Sequence, residues 1–239
     1  VERSRGLGDV YKRQVENSVP SVALTDKSNM FGLVKFFNKC ESAGIKPISG
    51  ASIRLIFEDD DVSYELLCLA KTNNGHRNLM KIISKAHNNN SFNLPIIKFN
   101  DLIKLKDDIV VISGGKGSHI FEYLKLGNLS EASSRIDNFR NHFGDDFVID
   151  IQMTNRLDEM EYIKNVLPIS KDKGIPLIAT NDVLFSKQED FDIHETKVCI
   201  NTGKTLNDPN RQKIFSEEQY FKSPEEMIEL FKDYDSLID

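Results

Sequence analysis

The chain has 239 residues, 31 Lys and Arg against 37 Asp and Glu, a formal net charge of −6 at pH 7 and a sequence pI of about 5.5. That length buries a large core and suits one α/β barrel or two small domains, while the acidic balance excludes a main grip on nucleic acid, which needs clustered Lys and Arg. No apolar run reaches the roughly 18 residues of a membrane helix, no signal peptide is visible, and Cys40, Cys68 and Cys199 lack metal or redox spacing, so buried thiols in a reducing compartment are expected.

Residues 1–14 show little periodicity and no starting Met, so they read as non-native read-through and are set apart from the fold. Residues 15–20 read as the tail of a helix. The first strand spans 21–26, an apolar run that ends abruptly in Thr25 and Asp26. Ser28 and Asn29 are the predicted caps of a helix that carries Met30, Phe31, Leu33, Val34 and Phe37 at helical spacing and runs to about Ala43, where Gly44 ends it. Lys46 to Leu55 and Tyr64 to Ala70 read as a hairpin, with Glu58 to Asp61 as its solvated acidic tip. That tip lacks the glycine and bidentate Glu of a calcium loop.

Asn73-Asn74-Gly75 turns into an amphipathic helix with Leu79, Ile82, Ile83 and Ala86 on one face, followed by a polar loop at 87–91. Ile109 to Ser113 is a strand ending in Gly114-Gly115-Lys116-Gly117. The glycines invite a phosphate-loop reading, but neither GxxxxGK[ST] nor GxGxxG spacing is present, and a tight βα turn is the expectation. Helices at 118–126 and 129–142, a strand at 147–152, a helix at 157–173 closed by Gly174, and a strand at 177–180 follow. This last strand ends in Thr180-Asn181-Asp182, repeating the design of the first. A helix at 189–200 carries His194, and Thr202-Gly203-Lys204-Thr205 fails as a Walker A tail because position 198 is Val. Ser223-Pro224-Glu225-Glu226 starts a final helix. The alternation specifies an α/β domain whose chemistry gathers at strand ends, without choosing between barrel and open sheet.

Val19 to Asp26, Phe31 to Phe36 and Ala43 to Gly50 resemble the start of the bacterial DNA polymerase III alpha subunits. So do Ala179 to Val183, His194, Thr202 to Arg211 and Tyr220 to Met227, in order over residues 15–239. The region is similar to their amino-terminal polymerase-and-histidinol-phosphatase (PHP) domain, which implies a distorted (β/α)7 barrel, here truncated at its first strand and continuing past Asp239 into a polymerase.

In metal-bearing members of that family, His, Asp, Glu and Cys at strand ends bind divalent ions. The resemblance places those positions at Asp26 and Lys27, Ser52, Glu65, Gly115, Asp150 and Thr154, and Asp182 and Leu184, with a further His at His194. Leu, Gly and Lys donate no lone pair at neutral pH, and a Lys ammonium about 4 Å from a cation costs roughly 4 kcal/mol per unit charge at intermediate dielectric. The expectation is therefore a vestigial pocket with no metal and no catalytic residue. Lys27 is expected either to replace the metal, pairing with Asp182, Glu65 or Asp26, or to snorkel to solvent. His194 is expected to bond a neighbouring backbone group.

By the same resemblance, the parent is a cytoplasmic DNA-directed DNA polymerase. Its palm aspartates and their Mg would lie beyond residue 239, and it would work with DNA, a sliding clamp and a clamp loader. This segment would be a scaffold that docks the proofreading exonuclease subunit, holding no cofactor. The competing reading is a metal-dependent phosphoesterase or intrinsic 3′–5′ proofreading nuclease on the same barrel. A barrel missing a strand exposes sheet edges, so low stability is expected of the isolated segment.

Overall fold

The computed structural model describes residues 19–89 and 94–237; the read-through and the helix tail assigned to 1–18 lie outside them. Among the described residues seven strands build one curled, mixed sheet: β1 (Ser21–Leu24), β2 (Lys46–Ile56), β3 (Tyr64–Ala70), β4 (Ile96–Lys98), β5 (Ile109–Ile112), β6 (Phe147–Gln152) and β7 (Leu177–Thr180). The order is β1-β2-β3-β5-β6-β7, with β4 also on β2. Only β3 runs against the others, through antiparallel pairing with β2 and β5. Among the described residues the sheet curls without closing, as a distorted (β/α)7 barrel with an open side between β1 and β7.

The hairpin reading holds, with Arg54 opposite Glu65 and Leu55 opposite Tyr64. The helices are α1 (Leu33–Ser42), α2 (Asn73–His87), α3 (Phe99–Ile103), α4 (His119–Lys125), α5 (Leu129–Phe143), α6 (Glu159–Lys173), α7 (Phe191–Thr202) and α8 (Pro224–Phe231). Their apolar faces meet the sheet in one core that includes Ile53, Leu55, Leu79, Ile82, Phe121, Phe139, Phe147 and Phe231. A smaller cluster of Phe36, Cys40 and Ile45 fixes α1 against β1, with Val22 and Leu24 packed on it.

Two expectations need correction. First, α1 does not start at a Ser28 or Asn29 cap. The chain continues along β2, with a Lys27–Ser52 bridge and Ser28 N–H donating to the Ser52 carbonyl at 2.7 Å. Asn29 Oδ1 then accepts from Phe31 N–H at 3.2 Å, so it shapes a turn, and the helix starts only at Leu33. Second, one acid of the hairpin tip is drawn inside: Glu58, Asp59 and Asp61 are exposed as expected, while the Asp60 side chain is only 12% exposed. Arg135, buried on α5, forks onto Asp59 at 3.2 and 3.1 Å and reaches Asp60 at 3.0 Å, and His119 Nε2 lies 3.0 Å from Asp60. The tip is folded down because a guanidinium inside the protein needs carboxylate partners.

The entry to α2 shows how tight the packing is. The Thr72 hydroxyl accepts from the Asn74 and Gly75 N–H groups, and a Cβ built on Gly75 would lie 2.1 Å from the Asp108 carbonyl oxygen. Backbone cannot yield as a side-chain tip can. Gly75→Ala is expected to destabilise the domain by about 1–3 kcal/mol in urea unfolding, despite alanine's better helix propensity.

Candidate functional site

The carboxyl ends of β1, β2, β5, β6 and β7 and the amino end of β3 share one rim. The sequence-predicted residues gather there in two separate groups. The first surrounds Glu65. Lys27 Nζ lies 2.6 Å from Glu65 Oε1, and Arg54 Nη2 lies 4.0 Å from the same oxygen. Glu65 is thus Lys27's partner, and yet the Lys27 side chain is 72% exposed, so it pairs and snorkels at once. Ser52 joins by backbone bonds, donating to the Asp26 carbonyl at 3.2 Å. Burial pushes the Asp26 carboxyl above the usual carboxylate range.

The second group surrounds Asp150 and Asp182. Asp150 is buried at the centre of β6. Its Oδ1 accepts from the Ser113 hydroxyl at 2.5 Å and from the Gly114 and Gly115 N–H groups at 3.0 and 2.8 Å. Its Oδ2 accepts from the Gln152 amide at 3.2 Å and the Thr180 hydroxyl at 3.0 Å. Five donors converge on one carboxylate. The Gly114-Gly115 turn exists to deliver two of them, with φ of 95° and 56°, a region in which a side chain is strained. The turn reading of these glycines is correct, and the anion they cradle belongs to the protein.

Gly115 also separates the two groups. A Cβ on it would lie 2.4 Å from Gln152 Nε2, so the Cys that the resemblance puts at this position would have to displace the Gln152 amide and bear the strain of a φ of 56°. On Gly117 a Cβ would lie 3.1 Å from Glu65 Cβ.

The cation of the second group is one the sequence analysis missed, Arg156. Its Nε donates to Thr154 Oγ1 at 2.8 Å and Glu159 Oε1 at 2.9 Å, its Nη1 to Asp182 Oδ2 at 2.9 Å, and its Nη2 to Gln152 Oε1 at 2.7 Å. The side chain is only 10% exposed, against 4% for Glu159 and 43% for Asp182. Glu159 opens α6 and also receives the Thr154 N–H at 2.7 Å and hydroxyl at 2.6 Å. Asn155 and Asp158 bracket the bend in left-handed backbone, at φ of 57° and 71°, which Asn and Asp tolerate best among side chains. The signal in the sequence was an Arg three residues ahead of a helix-opening Glu, with Asn and Asp around it.

His194 departs from its expectation. Its Nε2 is buried without a hydrogen-bond partner among the described residues, because Phe215 and Phe185 rings stand 4.8 and 5.5 Å away. Burial lowers its pKa. Leu184 contributes its backbone N–H to Gln219 O at 2.9 Å and has no donor atom for a metal.

These side chains do not fit a divalent-metal cluster. Among the described residues no three of His, Cys, Asp and Glu come close enough to share an ion. Glu159 Oε1 and Asp182 Oδ2 already hold the Arg156 guanidinium, Glu65 holds the Lys27 ammonium, and the Asp150 lone pairs are committed to five donors.

The PHP domain profile matches residues 5–154. This chain belongs to the PHP domain family. Over 231 residues the PHP domain described here is 37% identical to DNA polymerase III subunit alpha of Pasteurella multocida, covering 96% of this chain and 20% of that protein. It is 40% identical over 217 residues to the same subunit of Pseudomonas aeruginosa (90% of this chain, 18% of that one) and 37% identical over 227 residues to that of Escherichia coli K12 (94% and 20%). The chain therefore spans about one fifth of the curated relatives it matches. A solved structure from Bifidobacterium adolescentis, described provisionally as a metal-dependent phosphoesterase, aligns at a TM-score of 0.49 and 10% identity, covering 74% of this chain and 81% of its own. That likeness bears on neither metal nor activity. No helix among the described residues of the PHP domain is long and apolar enough to cross a membrane.

Proposed function

We propose that residues 15–239 are the PHP domain of a bacterial DNA polymerase III alpha subunit, working as a metal-free scaffold that docks the proofreading exonuclease subunit. The observation that carries this reading is Arg156. It sits among Thr154, Glu159, Asp182 and Gln152, where a catalytic cluster would need open carboxylates, in a chain 37% identical over 96% of its length to such subunits. A positive charge covalently fixed in the cleft neutralises the carboxylates without any ion, so shape and surface are what the domain offers. The parent would add deoxynucleotides to a primer by two-metal chemistry, with Mg at aspartates outside these residues. DNA, the sliding clamp and the clamp loader would be its partners, in the cytoplasm.

The test is metal analysis and co-elution on the complete parent protein. Sub-stoichiometric zinc and manganese, no metal-dependent nuclease activity and co-elution with the exonuclease subunit are expected. Stoichiometric metal with nuclease activity overturns the scaffold reading in favour of a phosphoesterase.

A further inference from the structure

The C-terminal part of the chain crosses the same rim. Residues 216–222 run beside the end of β7: Leu184 N–H donates to Gln219 O at 2.9 Å, Phe221 N–H to Phe185 O at 3.1 Å, and Phe185 pairs in parallel with Tyr220. The Asn181 amide donates to Tyr220 O at 2.6 Å, and the Ser216 hydroxyl donates to the Thr154 carbonyl. Gln219 is fully buried. Its amide nitrogen donates to Asp182 Oδ2 at 3.0 Å and to the Asp182 carbonyl at 3.3 Å, and its Oε1 accepts from Ser216 N–H at 3.0 Å. The Asp182 oxygen that Gln219 holds is the one Arg156 holds from the other side. Beyond the segment, a Ser223–Glu226 capping box starts α8, whose Phe231 is fully buried in the main core.

We infer that residues 216–222 are a strap closed over the strand-end cleft, with Gln219 as its clasp, and that the strap opens as a unit while the sheet stays folded. The fastening is polar: hydrogen bonds to Thr154, Asn181, Asp182, Leu184 and Phe185, each of small net strength because water replaces it on opening. The hairpin strands, by contrast, are held by apolar burial of Ile53, Leu55, Leu66 and Cys68. A segment held this way sits at the low end of local stability. Its opening would uncover the buried Thr154, release the Asp182 oxygen that Gln219 holds and slacken the lead into α8, so the state of the rim and the seating of the C-terminal helix are one equilibrium. Arg156 is a positioning residue in this device: it fixes the Asp182 carboxylate that the clasp grips. The inference rests on hydrogen bonds within the domain and stands whether or not the scaffold reading does.

Native-state hydrogen exchange on the full chain tests it. In the wild type, the Leu184 and Phe221 amides are expected to exchange well ahead of the β2–β3 ladder amides. Gln219→Ala is expected to speed both about tenfold and leave the ladder unchanged. Lys27→Gln, on the Glu65 side of the rim, should move neither. Wild-type Leu184 and Phe221 as protected as the ladder, or a Gln219→Ala effect spread evenly over all amides, would overturn the strap.

Discussion

Arg156→Met is expected to destabilise the domain by about 3–5 kcal/mol, because it strands the Glu159 carboxylate in a nearly dry site. Glu159 would keep the Thr154 N–H and hydroxyl, which places the loss toward the lower end of that range. The half-exposed Asp182 contributes little to the figure, since rim pairs are screened by water. In a chain of this size the loss corresponds to a fall in melting temperature on the order of 10 °C. Lys27→Met is the control: its pair with Glu65 is shorter, at 2.6 Å, but exposed, and its removal should cost under about 1 kcal/mol. The second variant to make is Arg156→Met with Glu159→Gln, which keeps an acceptor for Thr154 and removes the stranded charge. It should recover a large part of the loss. If Arg156→Met melts like the wild type, the guanidinium is not the cleft's structural cation.

The contrast between these two lysine and arginine sites shows how far the sequence could be read. Strand ends carry their signal locally: an apolar run closed by Thr and Asp located Asp26 and Asp182, and alternation placed Glu65 and Asp150 on the sheet. Glycine at helix ends was equally local, with Gly44 and Gly174 closing α1 and α6. What escaped depends on contacts between distant segments. Arg156 lies in a connection with no periodicity, and its four partners come from β6, its own loop, α6 and the end of β7. The start of α1 was misplaced because Ser52, 24 residues downstream of Ser28, captures the Ser28 N–H and carries the chain along β2 into a left-handed turn at Ser28, with φ of 50°. The short β4 and α3 were not read at all, being three and five residues long. At the hairpin tip Glu58, Asp59 and Asp61 are exposed, as acids at a tip usually are, and what escaped is the inward Asp60. The clue was on α5, where Arg135 interrupts the apolar face of Ala132, Ile136 and Phe139 and so required a carboxylate from elsewhere.

That hairpin latch sets the second large expectation, a loss of stability in mild acid. His119 is buried against Tyr64 and Phe57, with Asp60 at its Nε2, and desolvation, reinforced by the Arg135 charge, pushes its pKa down to about 3. Its unfolded value is near 6.5. Between those limits the unfolded chain holds a proton that the folded chain refuses, so the histidine's contribution is fully present above pH 6.5 and is lost as pH falls. From pH 6.5 to 5 the loss amounts to about 2 kcal/mol. Asp60 acts in the opposite sense, because burial raises its carboxyl and favours the folded state once it is protonated. His194, whose pKa is also lowered by burial, adds to the slope with the same sign, so the informative quantity is a difference between proteins. His119→Gln keeps a donor for Asp60 and cannot titrate. Urea midpoints measured at pH 7 and pH 5 should fall steeply in the wild type and distinctly less in the variant. Parallel slopes would mean that His119 is protonated in the folded protein and that the hairpin tip is not latched by a neutral imidazole.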